Sequence, residues 1–120
     1  MHIVKENDLG IITVEEGVVE TLAGMAALDS YGLVGMVARN LQSGLSSVLG
    51  IDSIRKGVMV KEGTDGLEVE VSVIIGYGIP IAEVCHNVMQ KVAHELENNA
   101  GIPVAQVNVN VMGIKVLKDR

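Results

Sequence analysis

The residues best suited to nucleophilic chemistry are Cys85 and its neighbour His86. A thiol and an imidazole act as nucleophile and base only when the two side chains can contact each other. The surrounding apolar spacing predicts a helix, on which adjacent residues project about 100° apart, so these two cannot form that pair. Cys85 also falls within the apolar stripe of this helix, where a free cysteine behaves as a small hydrophobic residue. We therefore expect Cys85 to be a structural thiol.

Metal and phosphate chemistry would need other spacings. His86 and His94 are separated by about 12 Å of helix rise, and a pair of ligands on one helix requires the i, i+4 spacing, at which Gln90 stands. The segment Gly76-Tyr77-Gly78 lies between a predicted strand and a predicted helix, but Ile81 occupies the position of a third glycine. We read it as a helix start, and we expect neither a metal nor a cofactor.

The serine and carboxylate residues do not predict a catalytic site either. Ser46 and Ser47 would need glycine two residues away on each side to form a nucleophile elbow, and Val48 takes the place required after Ser46. Glu68 and Glu70 share one face of a predicted strand, where two acids usually keep an exposed sheet soluble. No set of polar side chains converges, so the sequence does not predict an enzyme.

Composition narrows the function classes further. The 120 residues are 48% apolar, fit a single domain (1–120), and carry a formal charge of −6 with only two tyrosines as aromatic residues. This balance disfavours nucleic acid, which prefers basic surfaces and stacking rings. The apolar runs are too short to cross a membrane, and the first residues lack a signal-peptide layout. With one cysteine and no internal disulfide, we expect a soluble cytoplasmic protein.

In the first half of the chain, Thr13 and Glu16 match a capping box, which predicts a helix over residues 15–28 after a strand over residues 9–14. A second helix is predicted from an apolar stripe of helical spacing. That stripe consists of Val37, Leu41, Leu45, Val48 and Leu49.

The second half reads more clearly. Residues 57–62 and 67–75 are rich in Val and Ile and flank Gly63-Thr64-Asp65-Gly66, which predicts a β-hairpin. Pro80 precedes a helical apolar stripe that continues to Leu96, and residues 107–111 alternate Val with Asn as a last strand. The order β-α-(α)-β-β-α-β predicts an α+β, two-layer sandwich: one mostly four-stranded sheet covered by helices.

One motif points to a different class of protein. Gly32-Leu33-Val34-Gly35 lies between two predicted helices, as does the GxxG loop that clamps the RNA backbone in KH domains. Leu33 and Val34 carry no side-chain donor for a phosphate. A KH-like RNA-binding module is therefore kept as the alternative function. A third possibility is a small enzyme or ligand-binding subunit whose site forms across an oligomer interface.

Six segments in order resemble the alkaline-shock protein family of bacterial, mostly Gram-positive, envelope-stress proteins. They are Gly10-Ile11-Ile12-Thr13, Ala26-Ala27, Gly32-Leu33-Val34-Gly35-Met36, Lys56-Gly57-Val58, Tyr77-Gly78-Ile79-Pro80-Ile81 and Val107-Asn108-Val109-Asn110-Val111. The resemblance implies a non-catalytic cytoplasmic structural or adaptor protein in cell-envelope stress response or homeostasis. It also implies self-association and association with the membrane through a separate anchored partner, without direct insertion and without catalytic residues to transfer.

Hydropathy independently predicts a homo-oligomer. A mean hydropathy of +0.40 gives a domain of this size more Val, Ile and Met than one core can hide. Two surfaces are candidates for the contact: a sheet face and the glycine-flanked loop. Their residues are Ile74, Asn108 and Asn110 on the sheet face, and Leu33, Val34 and Met36 on the loop.

Overall fold

The computed structural model describes residues 2–38 and 48–116. Two helices, α1 (Glu16–Leu28) and α2 (Ile81–Asn98), and a 3-10 segment (Ile51–Gly57) accompany six strands. The strands are β1 (His2–Asn7), β2 (Gly10–Glu15), β3 (Leu33–Met36), β4 (Val58–Glu62), β5 (Leu67–Gly76) and β6 (Val104–Lys115). The predicted α+β class is confirmed.

The long strand β5 is the centre of a four-stranded sheet. β4 and β3 pair with it antiparallel, β4 along Leu67–Val71 and β3 along Val73–Ile75, whereas β6 pairs with it in parallel. Alternate residues of β5 are fully buried or nearly so under the helices. They are Leu67, Val69, Val71, Val73 and Ile75.

The helices close this core because each has one apolar stripe. α2 buries residues four apart along one side, and α1 buries its small alanines, which let the helix approach the sheet closely. The stripe of α2 consists of Val84, Val88, Val92 and Leu96. The predicted helix after Pro80, the predicted β-hairpin and the predicted final strand are thus confirmed. A backbone hydrogen bond of 2.9 Å, donated by the N–H of Gly63 to the carbonyl of Gly66, closes the turn of the hairpin.

The predicted capping box is wrong, although the helix that it predicted, α1, is present. Thr13 lies in β2 opposite Val4, and α1 begins after Glu15, which makes no side-chain capping hydrogen bond. The N-cap is the residue immediately before the first helical residue, which here is Glu15, so Thr13 lies two positions too early to cap α1. The strand pairing therefore takes precedence over the local motif.

The predicted helix after Gly32 also differs from the structure. Leu33–Met36 is a strand, and neither Val37 nor Val48–Gly50 is helical, because the backbone N–H of Val37 donates to Ser72 and that of Leu49 donates to Met36. Leu41 and Leu45 lie outside the described residues. Since Gly32–Gly35 does not join two helices, the KH-like interpretation loses its structural premise.

A two-stranded hairpin, β1–β2, precedes α1 and was only half predicted. The expected strand at residues 9–14 corresponds to β2, but it pairs with β1 and not with the main sheet, whose fourth strand is β3. The Asn7 side-chain oxygen accepts hydrogen bonds from the backbone N–H groups of Leu9 and Gly10, at 2.8 and 3.1 Å. This Asx-turn stabilises the tight reversal.

Candidate interaction surfaces

The face of the main sheet turned away from the helices is polar. Asn108 lies opposite Glu70, and Asn110 lies opposite Ser72 while donating a 2.6 Å hydrogen bond to the Glu70 carboxylate. On the β4 side, the Lys61 ammonium lies 3.7 Å from Glu68. A shallow depression of about 250 Å³ on this face is lined by Met59, Lys61, Glu68, Val69, Glu70, Gln106 and Asn108.

The first predicted surface, consisting of Ile74, Asn108 and Asn110, therefore lies on one sheet face, as the alternation of β5 and β6 requires. Asn108 is exposed, whereas Ile74 and Asn110 are half-buried. Gly35 is the position opposite Ile74, and a Cβ added there would lie 2.6 Å from the Val48 side chain. The chain at Val48 thus packs over this end of the face.

The second predicted surface is not a loop. Met36 is fully buried, with 0% of its surface exposed, and Leu33 and Val34 are half-buried in β3. Met36 is therefore a core residue and offers nothing to a partner. The local pattern of apolar residues between glycines could not separate a core strand from an exposed loop.

The β1–β2 hairpin exposes apolar side chains that the sequence analysis did not single out. Leu9, at its tip, is 98% exposed, and Val4, Ile11 and Ile12 are each more than half exposed. Val4 and Ile11 project from one face of the hairpin and Ile12 from the other, as the register shows. The hairpin is held to the rest of the fold by the buried Ile3 and by a 2.8 Å hydrogen bond from the Lys5 ammonium to the Gly101 carbonyl.

A signal for this hairpin exists in the sequence. Asn7-Asp8-Leu9-Gly10 contains three residue types typical of turns, and it stands between two apolar segments. A leucine at the second turn position is unusual because such positions normally face water. Apolar side chains concentrated on an isolated hairpin form a surface suited to contact with another protein.

The candidate chemical residues stay apart. Cys85 is half-buried, and burial raises the pKa of its thiol, while His86 is exposed on the next position of α2. The His94 ring nitrogen Nδ1 lies 3.0 Å from the Asn98 side-chain amide. Ser46 and Ser47 lie outside the described residues. Within residues 2–38 and 48–116, no three His, Cys, Asp or Glu side chains are grouped so that they could hold a metal ion.

Two ion pairs tie other elements to α1. The Arg55 guanidinium of the 3-10 segment lies 3.2 Å from the nearly buried Glu20 carboxylate. At the other end of the helix, the Lys91 ammonium of α2 lies 2.7 Å from Asp29. The hydrogen bond from Lys91, and then its charge, lower the pKa of Asp29. These pairs position elements, since neither faces a site where polar groups converge.

An open groove of about 580 Å³ lies beside the start of α1. Its lining residues are Glu15, Gly17, Val18, Thr21, Leu22 and Arg55. The one cationic group there, Arg55, already binds Glu20, so the groove offers no free charge for an anionic ligand.

Across the part of the chain that the structure describes, no helix is long and apolar enough to span a membrane.

Comparisons with known proteins identify the family. Residues 4–116 match the model of the alkaline shock protein 23 family, which is described as having a cell envelope-related function. The chain is 34% identical over 117 residues to the uncharacterized Bacillus subtilis protein YloU, covering 97% of this chain and 98% of that protein. It is also 34% identical over 109 residues to an uncharacterized protein of Streptococcus pyogenes serotype M6, covering 90% of each.

A more distant relative carries a functional name. The chain is 24% identical over 106 residues to a Streptococcus pyogenes serotype M3 protein named stress response regulator gls24 homolog, covering 88% of this chain and 59% of that protein. No solved structure matches the chain. Since the family match extends over nearly the whole chain, and a relative of nearly equal length is 34% identical, this protein belongs to the alkaline shock protein 23 family, whose function is related to the cell envelope.

Proposed function

We propose that this protein is a non-catalytic structural or adaptor protein of cell-envelope stress response and homeostasis. It acts by self-association and by contacts with other proteins, among them a membrane-anchored one that keeps it near the envelope. Family membership supports the envelope role, and the name of the gls24-type relative supports the link to stress. An adaptor needs docking surfaces rather than a reaction centre.

The observation that carries the proposal is the apolar β1–β2 hairpin. A two-stranded hairpin is at best marginally stable alone in water, yet this one exposes Val4, Leu9, Ile11 and Ile12 on both faces and at its tip. Contact with another protein would cover these side chains and order the hairpin. The formal charge of −6 disfavours an anionic lipid surface as the occupant, because such surfaces attract basic segments.

The experiment compares a hairpin variant with a matched control in the native cell. The variant Leu9→Ser/Ile11→Ser removes exposed apolar area, whereas Asp8→Ser/Thr13→Ser changes polar positions of the same hairpin. We expect the wild-type protein and the control to sediment with the cell envelope and to form oligomers in purified form, and the hairpin variant to lose envelope association. A protein that is monomeric at high micromolar concentration by light scattering and never sediments with the envelope would refute the proposal.

A further inference from the structure

The outer edge of β6 is long, and it is unpaired among the strands that the structure describes. β6 spans Val104–Lys115 and pairs with β5 on one side only; no other described strand pairs with it. An open edge presents backbone N–H and C=O groups that can form a ladder with another chain. The edge of β6 is therefore a potential site of strand addition.

The central part of this edge lacks the features that usually prevent such pairing. The sequence contains no charged residue from Asn98 to Ile114, and the register shifts that mark bulges fall at Ala105 and Met112. Between them, Gln106–Val111 is regular strand without proline, lysine or bulge, which are the common protections of a sheet edge. An alternating, uncharged strand of this length would be a liability in a monomer.

The apolar layer between the sheet and the helices is only partly covered along this edge. Lys91 of α2 binds Asp29, which directly follows the last residue of α1. Lys91 therefore lies on the side of α2 that faces α1. Met89 is two residues from Lys91, which is about 200° around the helix. Cys85 and Ala93 are each four residues from Met89, so all three lie on the side of α2 away from Lys91. They are half-buried, as are the helix-facing Val109 and Val111 of β6, although Val71 and Val73, their neighbours on β5, are fully buried.

We name these five half-buried residues the α2–β6 flank: Cys85, Met89, Ala93, Val109 and Val111. All five pack against the core on one side and are open on the other. The flank runs along the unpaired strand, so one occupant could complete the backbone ladder and the apolar layer together.

We propose that the occupant is a second copy of this chain, paired through the same edge. The two β6 strands lie antiparallel about a two-fold axis at Val109 and join two sheets into one. The inference rests on the proposed self-association and specifies the surface that performs it. The α2–β6 flanks of the two copies then face each other above the joined sheet.

The argument for a second copy is that the strand is complementary to itself. Val107-Asn108-Val109-Asn110-Val111 reads the same in both directions. In this register, Val109 faces its own copy and Asn108 faces Asn110, so that valines meet on the helix side and amides meet on the polar side. Residues directly opposite in an antiparallel pair project to the same face. A slip of one residue would therefore place Val opposite Asn and turn the helices to opposite sides.

The first test uses disulfide formation to measure the register. In a Cys85→Ala background, Val109→Cys brings two thiols together at the two-fold axis, whereas Asn108→Cys does not, because position 108 faces position 110. We expect rapid covalent dimers from Val109→Cys, slow ones from Asn108→Cys alone, and rapid mixed dimers when Asn108→Cys and Asn110→Cys proteins are combined. Faster dimers from Asn108→Cys than from Val109→Cys, or no dimers from either protein, would overturn the proposal.

The second test uses charge with a matched control. Asn108→Lys/Asn110→Lys places lysines opposite lysines at both polar pairs, whereas Asn108→Lys/Asn110→Glu places opposite charges there. We expect the first variant to weaken dimerisation by about tenfold and the second to keep it near the wild-type value, measured by sedimentation equilibrium with circular dichroism to verify folding. Equal weakening of both folded variants, or of neither, would overturn the interface.

These outcomes separate the two proposals. Oligomers that form without the contact at Val109 would reject this interface and leave the adaptor function in place. Strictly monomeric protein that also fails to sediment with the envelope would reject both.

Discussion

Arg55 and Glu20 form an ion pair across 35 positions of the chain, with 3.2 Å between Arg55 Nε and Glu20 Oε1. The Glu20 side chain is 7% exposed, whereas that of Arg55 is 58% exposed. The guanidinium also lies over Gly17, where an added Cβ would come within 3.0 Å of it. The absence of a side chain at position 17 thus leaves room for the guanidinium in this position beside Glu20.

Replacing Arg55 should destabilise the fold. We expect Arg55→Ala to lower the free energy of unfolding by about 1 to 2 kcal/mol, because it removes a charged hydrogen bond from a nearly buried carboxylate, with the exposure of Arg55 reducing the effect. Urea unfolding measures the change. The neighbouring Lys56→Ala serves as the control, since Lys56 is exposed and should change stability by less than about 0.5 kcal/mol. Equal effects of the two substitutions would contradict the role of the pair.

Two glycines in the left-handed region offer a matched comparison. Gly32 has a φ of +90°, and a Cβ there would lie 2.6 Å from the Val84 side chain, whereas Gly78 has a φ of +92° and open space around it. We expect Gly78→Ala to cost about 1 kcal/mol from backbone strain alone. Gly32→Ala should cost more, about 2 to 3 kcal/mol, because the contact with Val84 adds to the strain. Thermal unfolding of both variants tests this, and equal losses would show that Val84 yields without cost.

The Asp29–Lys91 pair predicts a pH dependence at the acidic end. Because Lys91 lowers the pKa of Asp29 below its usual value of 3.8, the pair stabilises the folded state fully above that value. This stabilisation is lost as the pH falls through the lower pKa of the folded state. Asp29 is exposed, so the contribution is small and is screened by salt.

An NMR titration of the Asp29 carboxyl carbon measures this directly. We expect a midpoint below 3.8 in the wild-type protein and a return toward that value in Lys91→Gln, which keeps a polar side chain but removes its charge. A midpoint that is the same in both proteins would show that Lys91 does not perturb Asp29 in solution.

Local sequence patterns were sufficient to predict the elements whose apolar residues recur at a regular spacing. The spacing of four in α2 and the alternation in β5 and β6 each name a buried side without reference to the rest of the chain, since a helix and a strand repeat with fixed periods. The same alternation predicted that Ile74, Asn108 and Asn110 share one face of the sheet. The turn at Gly63–Gly66 followed from residues that tolerate unusual backbone angles.

Local patterns were insufficient where distant pairing decided the outcome. Met36 is a core residue because β3 pairs with β5 at Val73. No feature of the segment Gly32–Met36 predicts this pairing. Thr13 matches a helix cap but pairs with Val4 in a strand. The exposure of Leu9 likewise depends on a hairpin whose tip no other described element covers, and alternation in a short segment does not reveal this.

The order of residues by itself determined the α+β class, the helix Ile81–Asn98, the hairpin of β4 and β5, and the likeness to the envelope-stress family, because each depends on periods or motifs read within a short window. Only the tertiary structure decided that no other described strand pairs with the outer edge of β6, that Met36 is buried and that the β1–β2 hairpin exposes apolar side chains. Those properties depend on which distant segments of the chain contact one another. The exposure of a residue is therefore decided by the whole fold and not by its own segment.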